Sequence, residues 1–554
     1  MAKNKQNIRT FLSENHCIRL PIYQRSATAW GEMQCKKLVN DMISAGRNEK
    51  KNNLLSIYFE KYDLEDIPVT LLIDGQQRLT NTSLLMAAIA EYKQQNNVSL
   101  GASHEAILDS FLCFNDKPRL KLKLEDNENF EKILSSVKSP YPSNLRNLPD
   151  CKLTDNFVYM KSLIDEDNIN DLWQGLKNTY IIPVELDDDD DAYTIFSTIN
   201  LQYGTVLSLD ELLFLNIWYN LGRDDSKTEQ VCKDLWVPLI KRFEDKKYKN
   251  KDLFSHFVRY YVTIQKDLVT QVSFKTLYDE CVEIFNESSD ISNTITDFVY
   301  FGNKCADLFF AETDDDVINE QLIILRYFGI DWVYLLLPIY EDYLCKRINA
   351  ETFKEVLDLF ETYLVRVFTI RNTSSSMRTL AKYIRRYRDY DNYLSSLLRI
   401  FNNSKFTARM LSDAEFYDNL CSLNFYNRFK GNAIKYIWCV LNQDLNPKEI
   451  VKISDLSTTD HLNPQNPTKQ TIDEWGDDFE IHYYSDNNKL GNLTCTNYNQ
   501  KFGTDPYTEK REVYQESNFP LNRELAKNYS ILLHEQIEKR TKELAQRMVR
   551  IWSV

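Results

Sequence analysis

No two of the eleven cysteines in this chain are spaced as C-x-x-C. That excludes zinc knuckles and redox sites of the C-x-x-C type. An odd count without motif spacing points instead to reduced, buried thiols in a cytoplasmic protein. Glycine and proline are scarce, 13 and 14 in 554 residues, which excludes long flexible linkers and collagen-like repeats. No glycine-rich loop ends in Lys-Ser/Thr, so this is not a P-loop enzyme. The longest apolar run, residues 332–340, contains Pro338 and is too short to cross a bilayer. The opening Met1-Ala2-Lys3-Asn4 is followed by no hydrophobic region, so no signal peptide is expected. Positive charge is also in deficit: 67 Lys and Arg face 81 Asp and Glu, for a net charge of −14. That excludes a basic protein that coats nucleic acid generally. It leaves enzymes that meet phosphate through a local patch or a metal.

What is present is core material. Hydrophobic residues make up 43% and aromatics 13%, enough for two to four domains. Residues 1–225 mix short strands and helices. Residues 54–58, 69–73 and 180–186 read as strands, and 30–45, 80–92 and 210–219 as helices. The five aspartates Asp187 to Asp191 read as the solvated start of a helix over 192–199. Residues 226–440 are helical almost throughout, and 458–505 read as loop-rich before a last helix over 529–552. One helical stretch is basic and aromatic: Arg366, Arg371, Arg378, Lys382, Arg385, Arg386 and Arg388, with Tyr383 and Tyr387. It is the best candidate for a DNA-phosphate face, Arg385 and Arg386 foremost. A solvated face balancing acidic neighbours fits the same residues.

The most informative segment is Leu72-Ile73-Asp74-Gly75-Gln76-Gln77-Arg78-Leu79-Thr80-Asn81. A strand ends in Asp-Gly and feeds a helix through two amides and a guanidinium, groups suited to a phosphate or a base edge. An Asp-Gly turn followed by solvated polar residues is the plainer reading. Upstream stands Pro21-Ile22-Tyr23-Gln24-Arg25, and downstream Ile195-Phe196-Ser197-Thr198-Ile199-Asn200 with Gly204. Near the C-terminus come Asp460-His461-Leu462-Asn463-Pro464 and Leu490-Gly491-Asn492-Leu493-Thr494.

In this order the set resembles the GmrSD-type family of type IV restriction enzymes, over most of the chain. The resemblance implies an α+β, helix-rich protein in three parts: a ParB-like α/β nucleotide-binding domain (1–225), a helical connector (226–440) and an HNH-type ββα-metal nuclease domain (441–554). The implied nucleotide-binding set is Tyr23, Gln24, Arg25, Asp74, Gly75, Gln76, Gln77, Arg78, Thr80 and Asn200. Arg78 and Arg25 suit bidentate phosphate contacts. Asp74 suits a magnesium ion or a water, and the two glutamines a water or a base. Tyr203 stands where the family more often has a basic residue before the glycine.

In the nuclease part, His461 matches the general base, a neutral imidazole able to take a proton from water. Asn492 matches the middle asparagine that holds the hairpin. Asn499 matches the final catalytic and metal-binding position, with Asn497 as its rival. The resemblance also implies Asp460 as a second metal ligand and Lys501 or Lys510 as a phosphate contact. Magnesium or another divalent ion, a nucleoside triphosphate as substrate or regulator, and DNA, modified phage DNA above all, are the implied cofactors and partners. A homodimer would let one centre per chain cut two strands. The expected activity is a nucleotide-regulated endonuclease of anti-phage defence. The alternative is a nucleotide-dependent DNA-binding switch with little cutting.

Overall fold

A computed structural model describes the chain apart from residues 1–4, 21–29, 65–66, 140–147, 187–207, 223–224, 245–246, 249–250, 269–271, 274–275, 371–373, 449–450, 457 and 498–501. The expectations for Tyr23, Gln24, Arg25, the aspartate run, the helix after it, Asn200, Asn499 and Lys501 therefore lie outside the described residues. Two compact units emerge. One comprises residues 1–238 and 281–295, the other 239–280 and 296–554.

The first unit is built on a six-stranded mixed sheet. Its described strands are β1 (Gln6–Asn7), β2 (Ile18–Arg19), β3 (Asn52–Leu64), β4 (Ile67–Asp74), β5 (Leu120–Lys121) and β6 (Thr179–Glu185). They lie in the order β1-β6-β3-β4-β2-β5. β3 and β4 pair antiparallel, whereas β3 with β6 and β2 with β4 and β5 run parallel. The segments 54–58 and 69–73, read as strands, fall inside the two longest strands. Helix α1 (Glu32–Arg47) presents Cys35, Leu38, Val39 and Met42 to the core, as its 3.6-residue period predicts. Helix α2 (Gln76–Asn96) is buried on every side from Leu79 to Glu91. Its run of small and aliphatic residues lets sheet and helices pack around it, and its one buried carboxylate, Glu91, pairs with Lys161 at 2.9 Å.

The second unit is mostly helical. Among its helices are α3 (Ala350–Val367), α4 (Ser374–Tyr387) and α5 (Asn432–Leu445). Near its end β7 (Thr458–His461) pairs antiparallel with β8 (Leu493–Thr496), Asp460 opposite Thr494 and His461 opposite Leu493. The connection between them is not the loop that composition suggests. It holds helix Lys469–Trp475 and α6 (Asp478–Asp486). Thr468 caps the former through Thr471 N. Trp475, Phe479 and Tyr483 bury their rings in a core shared with α7 (Tyr507–Gln515) and α8 (His534–Ile551). Such short helices owe their stability to this packing, which composition does not register. α3 belongs to the same unit: its Arg366, fully buried, donates to Trp552 O at 2.8 Å, to Leu411 O at 2.7 Å and to Asp413.

The basic stretch is partly paired with acids distant in sequence. Lys382, Arg385 and Arg386 all meet Asp267, and Arg388 meets the fully buried Asp342. Asp267 balances one of these three charges, and the Arg386 side chain stays 54% exposed.

Gly491 marks the closest approach between the hairpin and the C-terminal helix. A Cβ there would lie 2.1 Å from Ile537 O and 2.4 Å from Thr541 Oγ1, and Gly491 N donates to that hydroxyl at 3.0 Å. Gly491→Ala is expected to destabilise this unit by about 3 kcal/mol through forced separation of α8 and β8. A lower midpoint in urea denaturation with an unchanged slope checks this.

Candidate active site

Two places gather the motif residues. In the first unit β4 delivers Asp74, and Gly75 turns the chain into α2 with φ +105°, a left-handed value that favours glycine. Arg78, one turn into the helix, folds back onto the sheet. Its Nη1 donates to Leu54 O at 2.8 Å and Ser56 O at 2.7 Å, and its Nη2 to Asp74 at 2.6 Å. The ladder between β3 and β6 shifts register between Asn53 and Ser56, so the guanidinium serves carbonyls where regular pairing breaks. Arg78 is a clasp between strand and helix and does not offer its fork to a phosphate. Gln77 Oε1 accepts from Trp30 N at 3.2 Å. Asn156 donates to Trp30 O and to Asn81, both at 3.1 Å. Together they fix the backbone where it leaves the Tyr-Gln-Arg segment.

Two groups at this helix start remain unsatisfied. Gln76 Oε1 and Thr80 Oγ1 are buried without a hydrogen-bond partner, and Thr80 is 0% exposed. They stand one helical turn apart, on one face. Unsatisfied buried polar atoms cost stability unless a ligand or water meets them, so this pair is the part of the motif whose hydrogen-bonding capacity is unused.

In the second unit the strand period separates neighbours. Asp460 turns inward and its carboxylate takes the Lys510 ammonium at 3.1 and 3.2 Å and the Tyr514 hydroxyl at 2.5 Å. Lys510 also donates to His461 O at 2.7 Å. With 1% exposure, Lys510 is not a surface phosphate contact: it ties α7 to β7. Burial pulls its pKa down while Asp460 pushes it up, and burial drives the Tyr514 hydroxyl well above its usual value, reinforced by the same carboxylate.

His461 takes the other face. Its ring meets Tyr426 edge-on, centroids 4.4 Å apart, and its Nε2 lies 3.0 Å from Asn488 Oδ1. An amide oxygen accepts, so the imidazole carries its proton on Nε2 and keeps the Nδ1 lone pair free. Burial lowers the His461 pKa below its ordinary 6.5, opposed by the Asn488 hydrogen bond and Asp460. Tyr426, Asn427, Phe429, Lys430 and Thr459 line a neighbouring cavity of about 350 Å³.

Three asparagines hold this end together. Asn492 Oδ1 accepts from Asn463 N at 2.9 Å, and its Nδ2 donates to Asn463 O at 3.1 Å and Asn487 O at 2.8 Å. Asn487 in turn donates to Asn463 O and Pro464 O. Asn492 therefore acts through the loop that places Asn488 and does not touch His461. Asn497 sits apart, its Nδ2 donating to Asp455 O. Sequence reasoning missed Asn463, Asn487 and Asn488. The repeated asparagines immediately before Leu490-Gly491-Asn492, and the one inside Asp-His-x-Asn-Pro, were the available signal.

Divalent-metal donors at His461 are few. Asp460 is the carboxylate beside it, and both its oxygens are taken by Lys510 and Tyr514. These described residues do not by themselves fit a metal, because an ion would have to displace the ammonium.

Because His461 is held below 6.5, its neutral form prevails at pH 7, and the acid limb of a rate profile should have its midpoint below pH 6.5. Asn488→Ala removes a bond that favours the protonated ring. It is expected to move that midpoint lower still and to reduce the plateau rate about tenfold or more through loss of orientation. A merely structural Asn488 would lower the plateau and leave the midpoint in place. In the first unit, Arg78→Ala strands two carbonyls and Asp74 and should cost about 2–3 kcal/mol, read by chemical denaturation.

Comparison with known families agrees with this two-ended layout. Residues 8–218 match the N-terminal domain of GmrSD restriction endonucleases, and residues 410–547 match the C-terminal domain of the same enzymes. No curated protein matches the chain. No described helix is long and apolar enough to cross a membrane. With both family domains present in order over well over half its length, the chain belongs to the GmrSD restriction endonuclease family.

Proposed function

We propose that this restriction endonuclease is an HNH-type phosphodiesterase regulated by a nucleoside triphosphate and directed at phage DNA, modified DNA above all. The observation that carries the nuclease reading is His461 itself. It is a buried imidazole at the end of a two-stranded antiparallel ribbon, with Nε2–H anchored on Asn488. In hydrolysis of a DNA phosphodiester, His461 Nδ1 takes the proton from a water as that oxygen attacks phosphorus and the bond to the leaving sugar oxygen breaks. Asn488 and Tyr426 restrict the ring's rotation, and the asparagine trio holds the loop that carries Asn488. A divalent ion remains the family's expectation, with Asn499 and Asp460 its candidate donors. No step above runs through it.

The regulatory reading rests on Gln76 Oε1 and Thr80 Oγ1, buried and unsatisfied at the first turn of α2. The positive end of a helix favours an anion: the Thr80 hydroxyl can donate to a phosphate oxygen, whereas Gln76 Oε1 would accept from a donor on the nucleotide's base or sugar. Asp74, Gln77 and Arg78 shape that site from within, and Tyr23, Gln24, Arg25 and Asn200 are the candidates to close it. The second reading, a nucleotide-dependent binding switch with little cutting, draws on the Asp460–Lys510 pair, which engages the carboxylate expected to hold a metal.

The test is cleavage of modified and unmodified phage DNA with magnesium or manganese, with and without each nucleoside triphosphate. His461→Ala should lower cutting by about 10²- to 10⁴-fold while nucleotide turnover persists. Equal cutting by His461→Ala and wild type would overturn the assignment of the base. Thr80→Val, which keeps the shape and removes the hydroxyl, should leave the fold intact and weaken nucleotide binding. Unchanged affinity would remove Thr80 from the site.

A further inference from the structure

We propose that Asp486, His534 and Glu538 bind one divalent ion of the zinc class, at a site separate from His461 that braces the loop behind the active centre. The inference does not depend on the nuclease reading. One ligand atom from each of the three residues lies within 4.8 Å of the others. Asp486 is the last residue of α6, and His534 is the first of α8. Glu538 stands four residues after His534, hence on the same helical face. His534 Nδ1 lies 2.6 Å from Asp486 Oδ2. His482, four residues before Asp486 and so on its face of α6, stacks on His534 with centroids 3.7 Å apart and planes 10° from parallel. The stacking holds the His534 ring in place.

The charge arrangement already calls for a cation. Asp486 is 0% exposed, and a carboxylate so buried needs a countercharge. Lys489 supplies one from the loop, reaching Asp486 at 2.9 Å and also Glu538. One ammonium against two carboxylates and an imidazole leaves an excess of donors. His534 Nδ1 donates its proton to Asp486 Oδ2, and a metal ion between them would take the place of that proton. One nitrogen and two oxygens, with water as a fourth ligand, is a set that suits zinc and its borderline neighbours better than calcium or magnesium. Lys489 is therefore the internal stand-in, and a metal ion its competitor.

The position gives the ion a purpose. Residues 487–492 connect α6 to β8 and carry Asn487, Asn488 and Asn492, the groups that fix His461. An ion joining α6 to the first turns of α8 would pin this loop at its origin.

The experiment uses the full chain, stripped by chelation and titrated with zinc by calorimetry, with metal content and thermal melting measured in parallel. Wild type should bind an equivalent of zinc that His534→Ala lacks and His461→Ala retains. Lys489→Met removes the competing ammonium and should tighten binding at least about tenfold. Zinc should raise the melting temperature of wild type and Lys489→Met but not of His534→Ala. If Lys489→Met melts below the assay temperature without metal, restoration of its transition by zinc supports the site and failure to restore it overturns it. Equal stoichiometry and affinity in wild type and His534→Ala would overturn the proposal, as would unchanged or weaker binding by folded Lys489→Met.

Discussion

A buried carboxylate at Asp460 fixes the geometry of the C-terminal end. A strand sends successive side chains to opposite faces, so whatever holds Asp460 inward also turns His461 to the other side. What holds it is an ammonium at 3.1 Å and a phenol at 2.5 Å, both from α7. Breaking such a pair strands a charge in low dielectric, at a cost of about 3–5 kcal/mol. The strand therefore cannot rotate or slip by one residue without exposing that cost, and register and imidazole orientation are set together. Tyr514 and Lys510 lie one turn apart on α7, so a single helix supplies both contacts.

The first unit uses the same device. Arg78 and Asp74 look like ligand-binding charges in the sequence, yet they meet each other and the carbonyls of β3. Their work is to seat the start of α2 against a sheet whose ladder is irregular at that point. The charged members of each motif build the platform, and uncharged members are left outside those ion pairs: Gln76 and Thr80 at one end, His461 and Asn488 at the other. Electrostatics makes this division reasonable. A charge buried in a pair is costly to move and so holds position, whereas an amide or imidazole can meet and release a ligand at modest cost.

Much of the fold was legible in the sequence because local pattern and tertiary role coincide. The apolar run that became β4, the Asp-Gly that became a left-handed turn, and the unbroken aliphatic run of α2 each carry their structural reason in neighbouring residues. Residues 458–505 were not legible. Asn, Thr, Asp and Pro dominate there, but Trp475, Phe479 and Tyr483 are spaced to bury three rings, and that packing outweighs the weak propensities of the residues between. The basic stretch was only partly legible for a related reason. Arg386 and Lys382 are visible in sequence, but Asp267 lies more than a hundred residues away, so their shared partner could not be seen. At the active centre, Asp460, His461 and Asn492 were legible as types. The inward pairing of Asp460 and the role of Asn488 depend on which way each side chain turns, and only the assembled ribbon decides that.

The placement of cations closes the argument about DNA. A chain with net charge −14 must find positive potential somewhere if it is to approach a phosphate backbone. On α4, Asp267 meets Lys382, Arg385 and Arg386 together and so leaves part of their charge uncompensated, whereas Lys510 is buried. Lys430, lining the cavity beside Tyr426, is better situated, since Tyr426 touches the imidazole. A sparse positive edge gives weak, salt-sensitive attraction to ordinary duplex. Discrimination must then come from contacts that only the right DNA makes, and an aromatic-lined cavity with Asn427 and Lys430 on its wall offers stacking and hydrogen bonding in place of charge. The acidity of the protein and the selectivity expected of a restriction enzyme are in this sense one property: too little general attraction to cut at random leaves specific recognition to decide.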